Sequence, residues 1–139
     1  MTIPAEYITV WSYDKQEGFD AYLASKGVPW LIRKVILMSG HVITFQNHAG
    51  GKCSVDHQMT KKSSHYDFTM GEEFTGKGFD GADHKILIAL DGATIVEKHQ
   101  RIDKPDDPAE IYTYSIVDGR LAQKMQSGPV SCMRYFKKK

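Results

Sequence analysis

The residue best suited to bind a ligand in this sequence is Arg134, which lies in Val130–Lys137, a run rich in apolar and aromatic residues and typical of a β-strand. Side chains alternate along a strand, so Arg134 shares one face with Cys132 and Phe136. If it faces outward, its guanidinium would pair with a charge on a neighbouring strand. If it faces inward, it needs an anionic or strongly polar group, from a ligand or a buried carboxylate, because an unpaired buried charge is costly.

Catalytic and metal-binding functions find little support in the sequence. Cys132 has apolar, strand-like neighbours and no local motif, so we expect an inert thiol and no enzymatic activity. The spacings of the histidines and cysteine concentrated in one region fit no zinc template, and strands would scatter these side chains over both faces. We therefore expect no metal site and no cofactor. The residues in that region are His41, His48, Cys53, His57 and His65.

Length and composition predict one globular domain over residues 1–139. The chain is 41% hydrophobic and 25% charged, with a formal net charge of +1, which gives no basic surface for a nucleic-acid partner. Two cysteines make no disulfide framework, so Cys53 and Cys132 are predicted to be free and buried. Residues Met1–Glu6 lack the features of a secretory signal, and no stretch approaches the length of a membrane span. We therefore expect a cytoplasmic location.

One region is typical of helices. Asp14 and Glu17 fit a capping box, and Gly27 suits the stop, which predicts a helix over Lys15–Lys26. Pro29 fits the first turn of a second helix, so the two helices are expected to form a hairpin. The apolar residues of this region that recur at helical spacing are Phe19, Tyr22, Leu23, Trp30, Leu31, Val35 and Ile36.

The remaining sequence predicts a meander of short antiparallel strands. Turn signals recur at roughly ten-residue intervals, and Asp91-Gly92 and Asp118-Gly119 suit type I′ hairpins. We count nine or ten strands, enough for a sheet that closes on itself. Arg101–Glu110 interrupts the meander and is expected to be a solvated loop. The predicted strands are Tyr7–Tyr13, His41–Asn47, Cys53–Thr60, His65–Met70, Lys85–Leu90, Thr94–Gln100, Ile111–Val117, Leu121–Gln126 and Val130–Lys137.

Three local motifs occur in the order found in one known family. Gly18–Leu23 resembles that family's first helix, Gly71–Phe74 resembles its Gly-x-Glu-Phe between the fourth and fifth strands, and Val130–Phe136 resembles its closing strand. In this order the sequence resembles the intracellular lipid-binding proteins, which include fatty-acid-binding proteins and cellular retinol- and retinoic-acid-binding proteins. One departure is the Arg101–Glu110 loop, which is longer than the usual connection.

The resemblance implies a mainly β fold: a ten-stranded antiparallel up-and-down β-barrel capped by a two-helix hairpin. A cavity would be reached through a portal beneath the helices. The implied function is that of a non-enzymatic intracellular carrier binding one long-chain hydrophobic ligand, such as a fatty acid. The alternatives are a carrier of a retinoid (retinol, retinal or retinoic acid) and a ligand-free protein-interaction barrel. The resemblance also implies a monomer, and we expect transient membrane contact through the helical cap.

The family's anchoring residues are matched only in part. Its ligand-contacting arginine corresponds to Arg134, which favours the inward orientation. The tyrosine that follows two residues later in carboxylate binders is Phe136 here, and a second position, arginine in fatty-acid binders and glutamine in retinol carriers, is Tyr114. Tyr114 can donate one hydrogen bond and Phe136 cannot. Arg134 alone therefore does not specify a fatty acid over a retinoid.

Alternation and alignment add further candidates for ligand contact, each of which could equally be a packing residue. His57 and Met59 belong to the third strand, and Tyr66 and Phe68 to the fourth. The cap and portal candidates are Phe19, Tyr22, Leu23, Val28, Leu31 and Phe79, with Lys61 in a neighbouring turn.

Overall fold

Consecutive antiparallel hairpins build most of the protein. The computed structural model describes all 139 residues. Two helices follow the first strand: α1 (Phe19–Ser25) and α2 (Trp30–Met38). The strands are β1 (Val10–Glu17), β2 (His41–Asn47), β3 (Lys52–Met59), β4 (Ser63–Thr69), β5 (Phe74–Lys77), β6 (Asp83–Asp91), β7 (Thr94–Arg101), β8 (Glu110–Val117), β9 (Arg120–Ser127) and β10 (Val130–Lys138).

The strands form one ten-stranded sheet in the order β4-β3-β2-β1-β10-β9-β8-β7-β6-β5. Pairing of β1 with β10 joins the two ends of the chain, whereas β4 and β5 are not hydrogen-bonded as strands. Side chains cover this gap: the Tyr66 hydroxyl donates to the carbonyl of Lys77, and the rings of Phe68 and Phe74 stack with centroids 6.4 Å apart. The barrel is therefore nearly closed, which confirms the predicted fold class.

The helical hairpin is confirmed, but its predicted start is wrong. Asp14 and Glu17 lie in β1, and α1 begins at Phe19 after Gly18, whose φ is 76°. Asp14 sits at a bulge in β1 and pairs with Arg120 at 3.1 Å. The resemblance to a capping box fails because pairing with β10 continues the strand through Glu17.

Two features hold the helical hairpin together. Gly27 has a φ of 81°, which confirms the predicted stop after α1. Arg33 in α2 binds Asp20 in α1 at 2.9 Å and also donates to the carbonyl of Val28. Pro29 directly precedes α2. No helix in the structure is both long and apolar enough to cross a membrane.

The two Asp-Gly pairs form different turns. Asp118 and Gly119 both have positive φ, at 52° and 76°, and they connect the paired residues Val117 and Arg120 as predicted for a type I′ turn. The prediction for Asp91-Gly92 is wrong, because Asp91 still belongs to β6. The turn residues are Gly92 and Ala93, and only the glycine has positive φ, which fits type II′.

The N-terminal segment packs under one end of the barrel. Ala5–Tyr7 is a short 3-10 helix, so the predicted strand Tyr7–Tyr13 begins only at Val10. Burial of Tyr7 explains the difference: its hydroxyl donates to the carbonyls of Ala93, at 2.6 Å, and Tyr114, at 3.1 Å. Fully buried Trp11 donates from its indole nitrogen to the Tyr7 carbonyl.

Residues 102–109 connect β7 to β8 as a solvent-facing loop, in agreement with the prediction for this region. The Gln100 side chain donates to the carbonyls of Lys104 and Asp107. Arg101 forms two hydrogen bonds with Asp103, at 2.9 and 2.8 Å. These local contacts order the loop without burying it.

Candidate ligand-binding site

Polar side chains occupy inward positions on six strands of the barrel. Those with less than a tenth of their surface exposed are His41, His57, His84, Glu97, His99, Gln123 and Arg134. They share the inward face of their strands with buried apolar residues, such as Ile43 beside His41 on β2 and Ile95 beside Glu97 on β7. They form two hydrogen-bonded networks, one around Arg134 and one around Glu97.

Arg134 lies inside the barrel with only 6% of its surface exposed. The centre of its guanidinium is 4.4 Å from the Phe19 ring of α1, 5.1 Å from the Tyr13 ring and 5.2 Å from the Phe136 ring. Its Nη1 contacts His41 and Gln123, but no carboxylate lies within ion-pairing distance, and its buried Nε has no hydrogen-bond partner. The inward orientation is therefore confirmed, and the charge has no anionic partner within the protein.

The contacts of Arg134 fix the protonation of two histidines. Arginine can only donate, so its Nη1 donates to Nδ1 of His41 over 2.9 Å. Neutral His41 then carries its proton on Nε2 and donates to Nδ1 of His57, also over 2.9 Å. His57 consequently carries its proton on Nε2, a buried donor without a partner.

Burial keeps both imidazoles neutral. It is the main cause that lowers the pKa of His41 to about 2, followed by the positive charge of Arg134 and then by the neighbouring His57. Burial also lowers the pKa of His57 to about 4, and Glu97 acts in the opposite direction. For Arg134, burial lowers the pKa to about 10, so the guanidinium stays charged at neutral pH. One cation therefore lies among neutral donors and acceptors.

Tyr114 connects to Arg134 through Gln123. The Gln123 amide nitrogen donates to the Tyr114 hydroxyl at 3.1 Å, and its Oε1 accepts from Arg134 at 3.5 Å. Tyr114 is fully buried, and the edge of its ring packs against Phe45. Direct donation by Tyr114 to a ligand stays a prediction.

The other predicted site residues fall into three groups by location. Phe136 is buried beside His41, with ring centroids 5.4 Å apart, and Phe19 and Tyr22 project from α1 into the core. Tyr66 and Phe68 cover the gap between β4 and β5. The half-buried or exposed residues at the cap and the nearby turns are Leu23, Val28, Leu31, Met59 and Phe79.

Leu31 and Phe79 differ most in their surroundings. Leu31 is 67% exposed on the surface of α2, so it does not face the interior with Phe19. Phe79 packs edge-on against His57 with ring centroids 5.2 Å apart. The carbonyl of Phe79 also accepts from Lys62, which joins the β5–β6 and β3–β4 turns near the expected portal. Ligand contact by these residues stays a prediction.

The second network extends from the interior to the surface. Glu97 Oε2 lies 2.5 Å from His99 Nε2, and the Nδ1 atoms of His99 and His84 are 3.1 Å apart. His84 Nε2 reaches Asp80 at 2.9 Å, and Asp80 is 41% exposed. A chain of four ionisable side chains therefore connects a buried carboxyl group with solvent.

Neither thiol is placed for chemistry. Cys53 and Cys132 are free and buried, as predicted. Burial raises the pKa of the Cys132 thiol to about 11, so the nucleophilic thiolate is scarce at neutral pH. No group of three or more histidine, cysteine or acidic side chains is arranged to hold a metal ion.

Comparison with known proteins identifies the family. No model of a protein family matches the chain. The chain is 33% identical over 141 residues to fatty acid-binding protein homolog 4 of Caenorhabditis elegans, covering 99% of this chain and 97% of that protein. It is 36% identical over 142 residues to a fatty acid-binding protein homolog of Ascaris suum, covering 99% and 86% respectively. The chain belongs to the fatty-acid-binding protein family.

The family assignment agrees with the fold. The solved structure of As-p18, described as an extracellular fatty acid binding protein, superposes with a TM-score of 0.92 at 33% identity over all of both chains. In this fatty-acid-binding protein the arginine of the last strand, Arg134, is buried. It places His41 and Gln123 around that arginine as neutral partners.

Several residues of the two networks were not predicted as part of a site. The sequence pattern marks His41 only as a possible metal ligand, and it gives no prediction for Gln123, Glu97, His84 or His99. Strand pairing carries one usable signal, since Gln123 lies directly opposite Arg134 in the β9–β10 register. For Glu97 the usable signal is its position two residues after Ile95, which places both side chains on the same face of β7.

Proposed function

We propose that this protein carries a long-chain fatty acid inside the barrel, with the ligand carboxylate bound by Arg134. The observation that carries this proposal is the buried guanidinium, whose Nε has no partner and which has no carboxylate in reach. A fatty-acid carboxylate would supply the missing charge, and charge-assisted hydrogen bonds of this kind are the strong ones. The relatives described as fatty acid-binding proteins support the same ligand class.

Displacement of a fluorescent fatty acid tests this function. We expect oleate to displace the probe saturably at one site per protein, because the buried arginine and the surrounding aromatic rings favour an amphipathic acid. Retinoic acid and retinol serve as competitors, since the first has a carboxylate and the second only a hydroxyl. Stronger displacement by a retinoid than by oleate would replace the fatty acid with the retinoid. A probe that does not bind would support the ligand-free barrel instead.

We further infer that α2 contacts membranes during ligand transfer. Its apolar side chains are unusually exposed: Trp30 by 61%, Leu31 by 67% and Met38 by 87%. Lys34 lies beside them, with its Nζ 5.5 Å from the Trp30 ring centroid. An exposed apolar face with an adjacent lysine suits the interface of an anionic membrane.

Substitution of Leu31 by aspartate is expected to slow transfer of a fluorescent fatty acid to phosphatidylserine-containing vesicles about tenfold, because the charge opposes insertion of α2. The measurement is the transfer rate as a function of vesicle concentration. Val117→Asp is the matched control, because Val117 is a 48% exposed apolar residue far from α2. It ends β8, whereas Glu110 at the start of β8 binds Lys26 near the helical cap. Equal slowing by both variants would refute a specific role for α2.

The carrier is expected to be a monomer, and its cytoplasmic location stays a prediction. As-p18 is described as extracellular, so family membership leaves both compartments open. Fractionation of the source tissue, with detection by antibody, tests the location. Recovery of the protein mainly from the surrounding fluid would contradict it.

A further inference from the structure

His57 presents an unused hydrogen-bond donor to the barrel interior. Its Nδ1 accepts from His41, so the proton is on Nε2, which is buried and has no partner. Only 1% of the residue is exposed, and Phe79 packs edge-on against its ring. A buried donor without a partner is unfavourable, which favours a ligand atom that can accept from it.

Glu97, on β7, presents an unused acceptor to the same interior. It is 1% exposed, and only its Oε2 is hydrogen-bonded, to His99. A series of ring contacts connects its surroundings to His57: Phe79 lies 6.1 Å from Tyr112, and Tyr112 lies 5.1 Å from His99, between ring centroids. Burial lowers the pKa of His57 and the charge of Glu97 raises it, so the two side chains act on each other within the interior. His57 is joined to Arg134 through His41.

We propose that His57 and Glu97 bind a hydroxyl group on the ligand's acyl chain, so that the preferred cargo is a hydroxylated long-chain fatty acid. This inference rests on the proposed function, because Arg134 holds the carboxylate and thereby sets which carbon reaches the second site. A hydroxyl fits both groups: it accepts from the His57 Nε2–H and donates to the free Glu97 oxygen. A keto group would satisfy only His57.

An unsubstituted chain would leave both polar groups unpaired when it displaces water from them. Sites built to hydrogen-bond a hydroxyl reject analogues that lack it, because their own polar groups then lose water without gaining a partner. A hydroxyl at another carbon would be buried without a partner and would weaken binding. Preference for one position along the chain is therefore the signature of this site.

Calorimetric titration of stearate and a series of positional isomers of hydroxystearate tests the proposal. We expect one isomer to bind about tenfold more tightly than stearate, and isomers with distant hydroxyls to bind more weakly. If every isomer binds more weakly than stearate, the hydroxyl site is refuted while the proposed function stands. If neither stearate nor any isomer binds, the proposed function itself fails.

Two variants test the residues. Glu97→Met removes the acceptor with little loss of volume, and His57→Phe removes the donor but keeps a ring beside Phe79. In each, we expect the ratio of affinities between the preferred isomer and stearate to fall about tenfold. Lys98→Gln is the matched control on β7, because Lys98 is exposed and should leave the ratio unchanged.

Thermal unfolding shows whether each variant is folded, and His57→Phe alone decides the question if Glu97→Met does not fold. An unchanged ratio in a folded variant would overturn the role of the substituted residue. An unchanged ratio in both would overturn the proposal.

Discussion

Replacement of Arg134 by methionine is expected to weaken oleate binding about 100-fold and to change the affinity for oleyl alcohol less than about threefold. Arg134 is the one cation in the network that it forms with His41 and Gln123, and both partners are neutral. A carboxylate loses about 2–5 kcal/mol when its desolvated charged partner is removed, whereas an alcohol keeps its apolar contacts. Displacement titrations with the acid and the alcohol measure the two affinities.

The same variant should unfold at a higher temperature in the absence of ligand. Burial lowers the pKa of Arg134 to about 10, which corresponds to about 3 kcal/mol of unfavourable charge burial at neutral pH. Methionine removes this unfavourable charge burial, although the contact of the guanidinium with the Phe19 ring is also lost. Arg120→Met is the control, because Arg120 forms an ion pair with Asp14 outside the site. Equal losses of acid and alcohol affinity in Arg134→Met would remove Arg134 as the anchor.

Most of the barrel could be predicted because period-two alternation and turn chemistry are local signals. The bounds predicted for β2 match the structure. The one strand without its own signal is β5, which has four residues and includes Gly76. A Cβ at Gly76 would lie 3.1 Å from Ile86 and 3.3 Å from Tyr66, so close approach of Tyr66 across the gap favours glycine there. Such a tertiary requirement is invisible in a local pattern.

The site was predictable only where a strand kept a clear alternation. In β10, alternation groups Arg134 with Cys132 and Phe136, and the family resemblance then favours the inward orientation. In β7, three consecutive polar residues, Glu97, Lys98 and His99, resemble an exposed strand, although only Lys98 faces solvent. The buried position of Glu97 is explained by its hydrogen bond to His99 and by the packing of Tyr112 against His99. Both contacts exist only in the folded barrel, so a local sequence pattern does not show them.

Acid is expected to destabilise the protein through the neutral imidazoles beside Arg134. Above pH 6.5 His57 is unprotonated in both the folded and unfolded chain. Between pH 6.5 and about 4, His57 becomes protonated in the unfolded chain but stays neutral in the folded one. The free energy of unfolding therefore falls as the pH falls. The loss from His57 reaches about 3 kcal/mol. Burial lowers the pKa of His41 to about 2, which continues the loss below pH 4.

Urea denaturation at a series of pH values between 7 and 4 measures this effect. This range spans the pKa of His57 in the unfolded chain, 6.5, and its pKa in the folded chain, about 4. His57→Phe should lose less stability than the wild type over that range, since phenylalanine cannot take up a proton. His65→Gln is a control of opposite sign. His65 donates hydrogen bonds to Asp56 and Asp67, and these bonds raise its pKa. Its contribution to stability is therefore present below pH 6.5 and is lost as the pH rises.

The two variants should therefore diverge from the wild type in opposite directions. As the pH falls, His57→Phe should gain stability relative to the wild type, and His65→Gln should lose it. The effect of His65 should be the smaller one, because its side chain is 48% exposed and its pairs with Asp56 and Asp67 are screened by solvent. Parallel curves for the wild type and His57→Phe would show that His57 accepts a proton in the folded barrel. His57 would then not be held neutral by burial next to Arg134.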